Sequence, residues 1–489
     1  MVDLSKLTSW NSNWSELRAV VFGLGLSGFS AADTLAELGA DVLVVAEAAD
    51  ADLLDVLDVI GVVHVTGEAA KGLPQAVLSY RPNVIIVSPG VRPEHELLAW
   101  AAENDVAVWV DIDLAWRLRD KTSKIADWIT ITGTNGKTTT AQMVEAMLIE
   151  GSHRAIACGN IGTPILDAIR DPEGFDVLVV ELSSFQLHYL GEISPFSSAV
   201  LNLADDHLDW HGNFDAYSDA KAKVYENTQV ACVYNVNDLA TEKMVENADV
   251  QEGARAIGFT TGIPSRSQVG FVEDLLCDRA FHEDRQNSAL EIATLEDLSS
   301  IGVLTPHLMA NASAATALAR SYGVAPAAIL QALKSFKLDA HRIELVAEAN
   351  GVRWIDDSKA TNPHAAAASI NSFEHVVWIV GGLLKGVDLT DLVTRFSSRM
   401  RAAVVIGKDR QLVLDALASA APTLSVVEVQ TEDNSAVMQI AVDEAAKFAK
   451  AGDVVLLAPA AASMDQFKDY ADRGDSFAAA VRAHLGKQL

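Results

Sequence analysis

The sequence predicts an α/β protein of three domains: Rossmann-like at the N-terminus, a phosphate-loop ATPase-like centre on a mainly parallel sheet, and Rossmann-like again at the C-terminus. Three observations predict it. Apolar runs of strand length alternate with helical stretches along most of the chain, the pattern of a parallel sheet flanked by helices. Glycine-rich turns follow two of the strands and open helices. The chain has 489 residues, half of them hydrophobic, enough for about three domains of ordinary size. The boundaries are expected at 1–112, 113–338 and 339–489.

Taken in order, the first domain reads as a strand over 19–22, a glycine turn over 23–28, a helix over 30–38, and strands over 41–45, 62–65 and 84–87. A polar stretch, 117–127, leads to the strand 128–132, a second glycine loop and a helix over 138–148. Strands over 177–181, 199–203 and 230–235 follow. The stretch 253–300 has weak periodicity and scattered charge, and reads as hairpins or loops lying on the central domain. An alanine-rich helix over 312–322 and another opened by Pro326 precede the third set of strands, at 354–355, 376–380, 403–406, 426–429 and 454–457.

Net charge is −29, from 37 basic and 66 acidic residues, which repels nucleic-acid phosphates and disfavours general nucleic-acid binding. An anionic substrate then needs locally basic pockets. Three scattered cysteines fit neither a disulfide framework nor a zinc site and point to a reducing compartment. The first residues carry no basic-then-apolar signal, and no apolar run approaches the roughly 20 residues of a spanning helix. A cytoplasmic monomer is expected.

The segment Gly133-Thr134-Asn135-Gly136-Lys137-Thr138-Thr139 lies between a strand and a helix. Its glycines let backbone N–H groups converge on phosphate oxygens, and the helix N-terminus adds positive charge. Lys137 suits the β- and γ-phosphates and Thr138 suits Mg²⁺. The nucleotide expected is ATP or GTP. The earlier turn, Gly23-Leu24-Gly25-Leu26-Ser27-Gly28, matches a weaker dinucleotide fingerprint, with Glu47 placed to meet a ribose or base and Ser88 ending another strand of the same sheet. Its alternative is a tight turn that binds nothing. Glu181 ends a strand and suits Mg²⁺, unless it simply faces water. Five polar side chains crowd Asn202-Leu203-Ala204-Asp205-Asp206-His207-Leu208-Asp209. There His207 suits a second Mg²⁺ or a phosphate, or else caps a helix or packs in the core. Spacing alone places Lys221, with Lys223, on a solvated helix face.

These motifs, with Glu181-Leu182-Ser183-Ser184-Phe185-Gln186-Leu187, Tyr225-Glu226-Asn227, His341-Arg342, Asp356-Asp357-Ser358-Lys359-Ala360-Thr361-Asn362 and Ser463-Met464-Asp465-Gln466-Phe467, resemble those of the Mur ligases of bacterial cell-wall synthesis, and among them the D-glutamate-adding branch. The resemblance implies that the first domain binds the UDP end of UDP-N-acetylmuramoyl-L-alanine, the middle one ATP, and the third D-glutamate. It implies an amide-forming reaction through an acyl phosphate, releasing ADP and phosphate, with two Mg²⁺. It makes Lys137, His207, Lys221 and Lys359 catalytic, Lys221 as a carbamylated lysine at the second metal. It gives Asn311, Arg342 and Asp357 to the nucleotide, the last two after the third domain closes. Gly25, Leu26, Ser27, Glu47, Ser88 and Asn160 go to the UDP-linked substrate, and Thr361, Lys385, Ser463, Met464 and Tyr470 to the phosphate and amino acid. A lysine there suits a ligand with two carboxylates.

Three positions depart from the family pattern. Leu308 stands where an asparagine is usual and cannot hydrogen-bond adenine. Glu47 stands one position after a usual aspartate. Tyr470 replaces a common Phe. Two other readings compete: a relative adding a different amino acid, such as a folate polyglutamate ligase, and a nucleotide-binding regulator without catalysis. The first leaves the N-terminal turn unexplained, and the second leaves Glu181, His207, Lys221, Asp357 and Lys359 together unexplained.

Overall fold

The structure, a computed structural model, describes residues 2–384 and 386–486. It divides into two compact units, the first made of residues 1–294 and 310–333 and the second of residues 295–309 and 334–489.

The first unit holds two sheets. The N-terminal sheet has strands β1 (Arg18–Leu24), β2 (Asp41–Ala49), β3 (Val63–Thr66), β4 (Val84–Val87) and β5 (Ala107–Trp109), ordered β3-β2-β1-β4-β5 and parallel throughout. Apolar β1 and β4 are buried on both faces, as parallel strands under helices must be. The central sheet has β6 (Asp127–Thr132), β7 (Ala155–Gly159), β8 (Val177–Glu181), β9 (Ser197–Val200), β10 (Ala231–Asn235), β11 (Arg255–Phe259), β12 (Gln268–Val272), β13 (Leu275–Asp278) and β14 (Leu290–Thr294). Their order is β14-β13-β12-β11-β10-β9-β6-β8-β7, and only the last two pairings at the β14 edge are antiparallel. The chain reverses direction of travel across the sheet at β6, which lies between β8 and β9. Ligands bind at such switch points, beyond the carboxyl ends of the strands.

The stretch 253–300 therefore extends the central sheet, with β12–β13 and β13–β14 as the hairpins of the sequence reading, paired into its edge instead of lying on it as loops. Its strands are four or five residues long and carry charge even in the core, at Asp278, which hides the periodicity. It is anchored to the helix Pro306–Ser321, which begins six residues before the alanine-rich run suggested. Arg320 Nε donates to Asp278 Oδ2 at 2.8 Å, and the other oxygen of that fully buried carboxylate accepts from the N–H groups of Ala280 and Phe281. The two sheets of this unit are joined by charged pairs: Arg170 with Asp33 at 2.5 Å and with Glu37 at 2.8 Å, and Lys121 with Glu37 at 2.6 Å.

The second unit has a six-stranded sheet of β15 (Glu344–Ala349), β16 (Val352–Asp356), β17 (Val376–Gly381), β18 (Met400–Ile406), β19 (Ser425–Glu428) and β20 (Val454–Leu457), ordered β15-β16-β20-β17-β18-β19. Only the β15–β16 hairpin is antiparallel, and the sequence reading missed β15. Its exposed glutamates mask it at a sheet edge. Asp356 and Ile379 both pair with Leu457, so the segments leaving β16, β17 and β20 emerge side by side. Among the described residues no helix is long and apolar enough to cross a membrane.

Replacing Arg320 by Met leaves the Asp278 carboxylate buried without its cation, a loss of about 3–5 kcal/mol. The urea midpoint should fall accordingly, and adding Asp278→Asn should restore part of it. An unchanged midpoint for Arg320→Met would reject the anchor.

Candidate functional site

The loop Gly133–Lys137 leaves β6 and turns directly into the helix Lys137–Glu150. The turn needs glycine at 136, where φ is +85° and an added Cβ would lie 2.4 Å from Asn311 Oδ1. Asn311 thus packs against the loop. The next strand exit braces it: Asn202 Oδ1 accepts from Asn135 N–H at 2.9 Å, and Asn202 Nδ2 donates to Asn135 O at 3.0 Å. Thr134 Oγ1 lies 2.8 Å from the Tyr217 hydroxyl. Lys137 Nζ donates to the Gly133 and Thr134 carbonyls at 2.9 and 3.0 Å. Thr139 is buried on the helix behind the loop.

Register brings the acid to this loop. Ile131 pairs with Glu181 across β6–β8, and Gly159 pairs with Glu181 across β7–β8. Thr138 Oγ1 therefore donates to Glu181 Oε2 at 2.9 Å, and Asn160 Nδ2 donates to Glu181 Oε1 at 3.0 Å. Glu181 is 2% exposed, so it does not face water. A buried carboxylate whose oxygens accept from neutral donors is a set that a hard divalent cation completes.

Lys221 is buried, which corrects the solvated face read from its spacing. The helix Phe214–Ala222 turns it inward with Tyr217, four residues earlier on the same face, and Nζ donates to Gly133 O at 2.9 Å and Thr132 Oγ1 at 3.3 Å. Burial above all, and then the nearby Lys137 charge, hold its pKa well below the ordinary lysine range. A neutral amine is the form that adds CO₂. His207 caps the short helix Leu208–His211 with φ +53°. Its side chain is 41% exposed, its ring packs edge-on to Phe185 and its Nε2 lies 3.6 Å from Asp206 Oδ2.

In the N-terminal sheet the turn at Gly23 is closed by Ser88, whose Oγ would lie 2.4 Å from a Cβ on Gly23. Gly25 caps the helix Leu26–Glu37, and the Leu26 side chain is exposed. Glu47 is half exposed near the end of β2, with Oε1 4.0 Å from His95 Nε2. The central domain holds the loop after β4: Tyr189 donates to Val91 O at 2.8 Å, and Arg92 Nη2 donates to Asp209 Oδ2 at 3.0 Å. Asp111, absent from the sequence reading, is buried between the two domains and accepts from Gln186 Nε2 at 3.3 Å.

In the second unit His341 and Arg342 precede β15. His341 Nδ1 meets Asp356 Oδ2 at 2.7 Å, and its N–H donates to Glu344 Oε2 at 2.9 Å. Arg342 Nε is buried without a hydrogen-bond partner, a donor suited to an anion. Asp357 is buried; desolvation pushes its carboxyl up to about 6, against the pull of its Ser369 hydrogen bond and of Arg342. Lys359 Nζ lies 3.7 Å from Asp339 Oδ2 and 5.2 Å from the Tyr470 ring centre. Thr361 is exposed, Ser463 buried and Met464 exposed at 66%. Leu308 is buried in the same unit, as its apolar side chain requires. Lys385 lies outside the described residues.

The site and sheets define a class, α/β proteins of three mainly parallel sheets with a phosphate loop in the central one. UDP-N-acetylmuramate-alanine ligase MurC from Thermotoga maritima has the same fold (TM-score 0.57, 18% identity, 96% of this chain and 100% of that one), as has MurF ligase from Thermotoga maritima in complex with ADP (TM-score 0.57, 17% identity, all of both chains). Family models match in order: Mur ligase MurD-like, N-terminal domain at residues 17–110; Mur ligase middle domain at 131–319; and Mur ligase, glutamate ligase domain at 341–461. The chain belongs to the Mur ligase family. It is 57% identical to the UDP-N-acetylmuramoylalanine–D-glutamate ligase of Leifsonia xyli subsp. xyli over 99% of this chain and 96% of that one. Proteins of the same name from Streptomyces coelicolor and Mycolicibacterium smegmatis are 48% and 40% identical over 96% of this chain, and over 99% and 97% of their own lengths.

Because Asp357 holds its proton to about pH 6 when folded but releases it near the ordinary 3.8 when unfolded, it weakens the fold progressively as pH rises through that window. Asp357→Asn removes this penalty. Its melting temperature should exceed that of the wild type at pH 8, with the gap shrinking toward pH 4. A gap independent of pH would contradict the buried-acid assignment.

Proposed function

We propose that the chain is an ATP-dependent acid–amino-acid ligase (EC 6.3.2.9) that joins D-glutamate to UDP-N-acetylmuramoyl-L-alanine in peptidoglycan precursor synthesis, releasing ADP and phosphate. The observation that carries this reading is full-length identity of up to 57% with ligases of that name. A cytoplasmic monomer acting on these small molecules fits it. So do domains at 1–112 for the UDP end, 113–338 for ATP and 339–489 for the amino acid.

In this reading Gly133, Thr134, Asn135, Gly136 and Thr139 cradle the phosphates, and Lys137 turns from its loop carbonyls to the β- and γ-oxygens. Asn311 flanks the nucleotide. Thr138 and Glu181 would hold one Mg²⁺, and His207 with a carbamate on Lys221 would hold a second; bound there, the ions would supply charge neutralisation for the transferring phosphoryl group. Gly25, Leu26, Ser27, Glu47 and Ser88 take the uridine diphosphate end, and Asn160 reaches the sugar-peptide end. The alanyl carboxylate oxygen attacks the γ-phosphorus in line, and the bond to the ADP oxygen breaks. The amine of D-glutamate then attacks the acyl carbon and loses a proton, and the C–O bond to phosphate breaks. Arg342 and Asp357 are assigned to the nucleotide, Lys359 and Thr361 to the phosphate, and Lys385, Ser463, Met464 and Tyr470 to the D-glutamate carboxylates and chain. Lys137 and the buried Lys221 both donate to the Gly133 carbonyl, which favours this chemistry, because fixed donors act strongly where water is excluded.

Phosphate release from ATP should be measured with UDP-N-acetylmuramoyl-L-alanine and each of D-glutamate, L-glutamate, L-lysine and meso-diaminopimelate. Release with D-glutamate alone is expected; none with D-glutamate would reject the reading. Lys221→Ala should lose most activity and regain part of it with a small carboxylic acid in the buffer, whereas undiminished activity would remove the carbamate.

A further inference from the structure

We propose that Arg473 and Gly474 are positioning residues that align the amino-acid segments and the nucleotide segment of the second unit; the proposal rests on the ligase reading above. Neither residue is assigned to any ligand. Both lie on the helix Tyr470–Gly486, which packs against β15 and β16 and reaches the segment after β20 through Arg473.

Arg473 is completely buried. Its guanidinium donates only to neutral acceptors: Nε to Ser358 Oγ at 2.9 Å, Nη2 to Ser358 O at 2.8 Å and Nη1 to Ala461 O at 3.0 Å. Ser358 lies between Asp357 and Lys359, and Ala461 lies two residues before Ser463. One rigid fork therefore sets the separation of the segments leaving β16 and β20. Ser358 Oγ passes the constraint on by donating to Tyr470 O at 2.7 Å, and the Tyr470 ring stands beside Lys359 Nζ. A buried guanidinium with no hydrogen-bonded carboxylate is costly, and burial lowers its pKa to about 10 against the opposing pull of Asp465 and Asp356. An apolar side chain would fill the space without that cost. What only the planar fork supplies is three donors in fixed geometry.

Gly474 acts on the neighbouring segment by absence of a side chain. A Cβ there would lie 2.1 Å from His341 Nδ1 and 2.6 Å from Asp356 Oδ2. The His341–Asp356 pair is thus pressed against bare helix backbone, and His341 carries Arg342 next to it. Two consecutive residues of one helix consequently index different segments: Arg473 those with Lys359 and Ser463, Gly474 the one with Arg342.

The two are separable by kinetics on the full-length protein. Arg473→Met should raise KM for D-glutamate about tenfold or more and KM for ATP by a smaller factor, because misplacement of a positioning group by an ångström costs rate and binding steeply and Ser358 adjoins Asp357 as well as Lys359. Arg473→Lys should behave like Arg473→Met, since one ammonium cannot hold both segments. Gly474→Ala should show the reverse split, with KM for ATP raised and that for D-glutamate nearly unchanged. Ser358→Ala, which removes one acceptor and keeps the backbone one, supplies a milder form of the first split should Arg473 variants fail to fold. Equal effects on both KM values, a fall in kcat alone, or wild-type kinetics in Arg473→Lys would each overturn the proposal. Failure of the ligase reading is seen separately, as wild-type protein that releases no phosphate with D-glutamate.

Discussion

The hydrogen bond from Thr138 to Glu181 is the constraint around which the first unit is organised. It joins the first turn of the loop helix to the end of β8, and it exists because β6 and β8 are neighbours in register. Shifting that register by one residue would turn the Glu181 side chain to the opposite face of the sheet. With the bond in place, Asn160 arrives from β7 on the other carboxylate oxygen, and Lys221 arrives from the helix Phe214–Ala222 on the loop carbonyl. Four segments distant in sequence converge because parallel strands all present their carboxyl ends on one side.

The second unit uses the same geometry for a different purpose. Adjacent parallel strands deliver the segments after β16 and β20 to one edge, and the helix that closes the chain holds them at a set distance. Its acids are handled by burial: Asp356 is paired with His341, and Asp357 is shielded enough to hold its proton to about pH 6. Such perturbed groups gather where a fold binds charged ligands.

Much of this was legible from sequence where local pattern and environment agree. Uniformly apolar strands such as β4 and β20 can be read directly, because burial on both faces leaves only one composition. The phosphate loop is legible because glycine, lysine and threonine each have a local reason for their position. Lys221 was not, since helical spacing says which residues share a face but not whether that face is covered. Strands β12 to β14 were obscured by their length and scattered charge, and β15 by glutamates at an edge. Arg473 carries no local signal at all; its partners lie twelve and more than a hundred residues away, and only the assembled sheet brings them together.

The central claim is that the phosphoryl group held by the loop goes to a substrate carboxylate and not to water. It can be tested with UDP-N-acetylmuramoyl-L-alanine labelled with ¹⁸O in the alanyl carboxylate, incubated with ATP, Mg²⁺ and D-glutamate. Mass spectrometry of the released phosphate should find one ¹⁸O per molecule carried over from the carboxylate. Unlabelled phosphate, formed at the same rate as the amide product, would contradict the account.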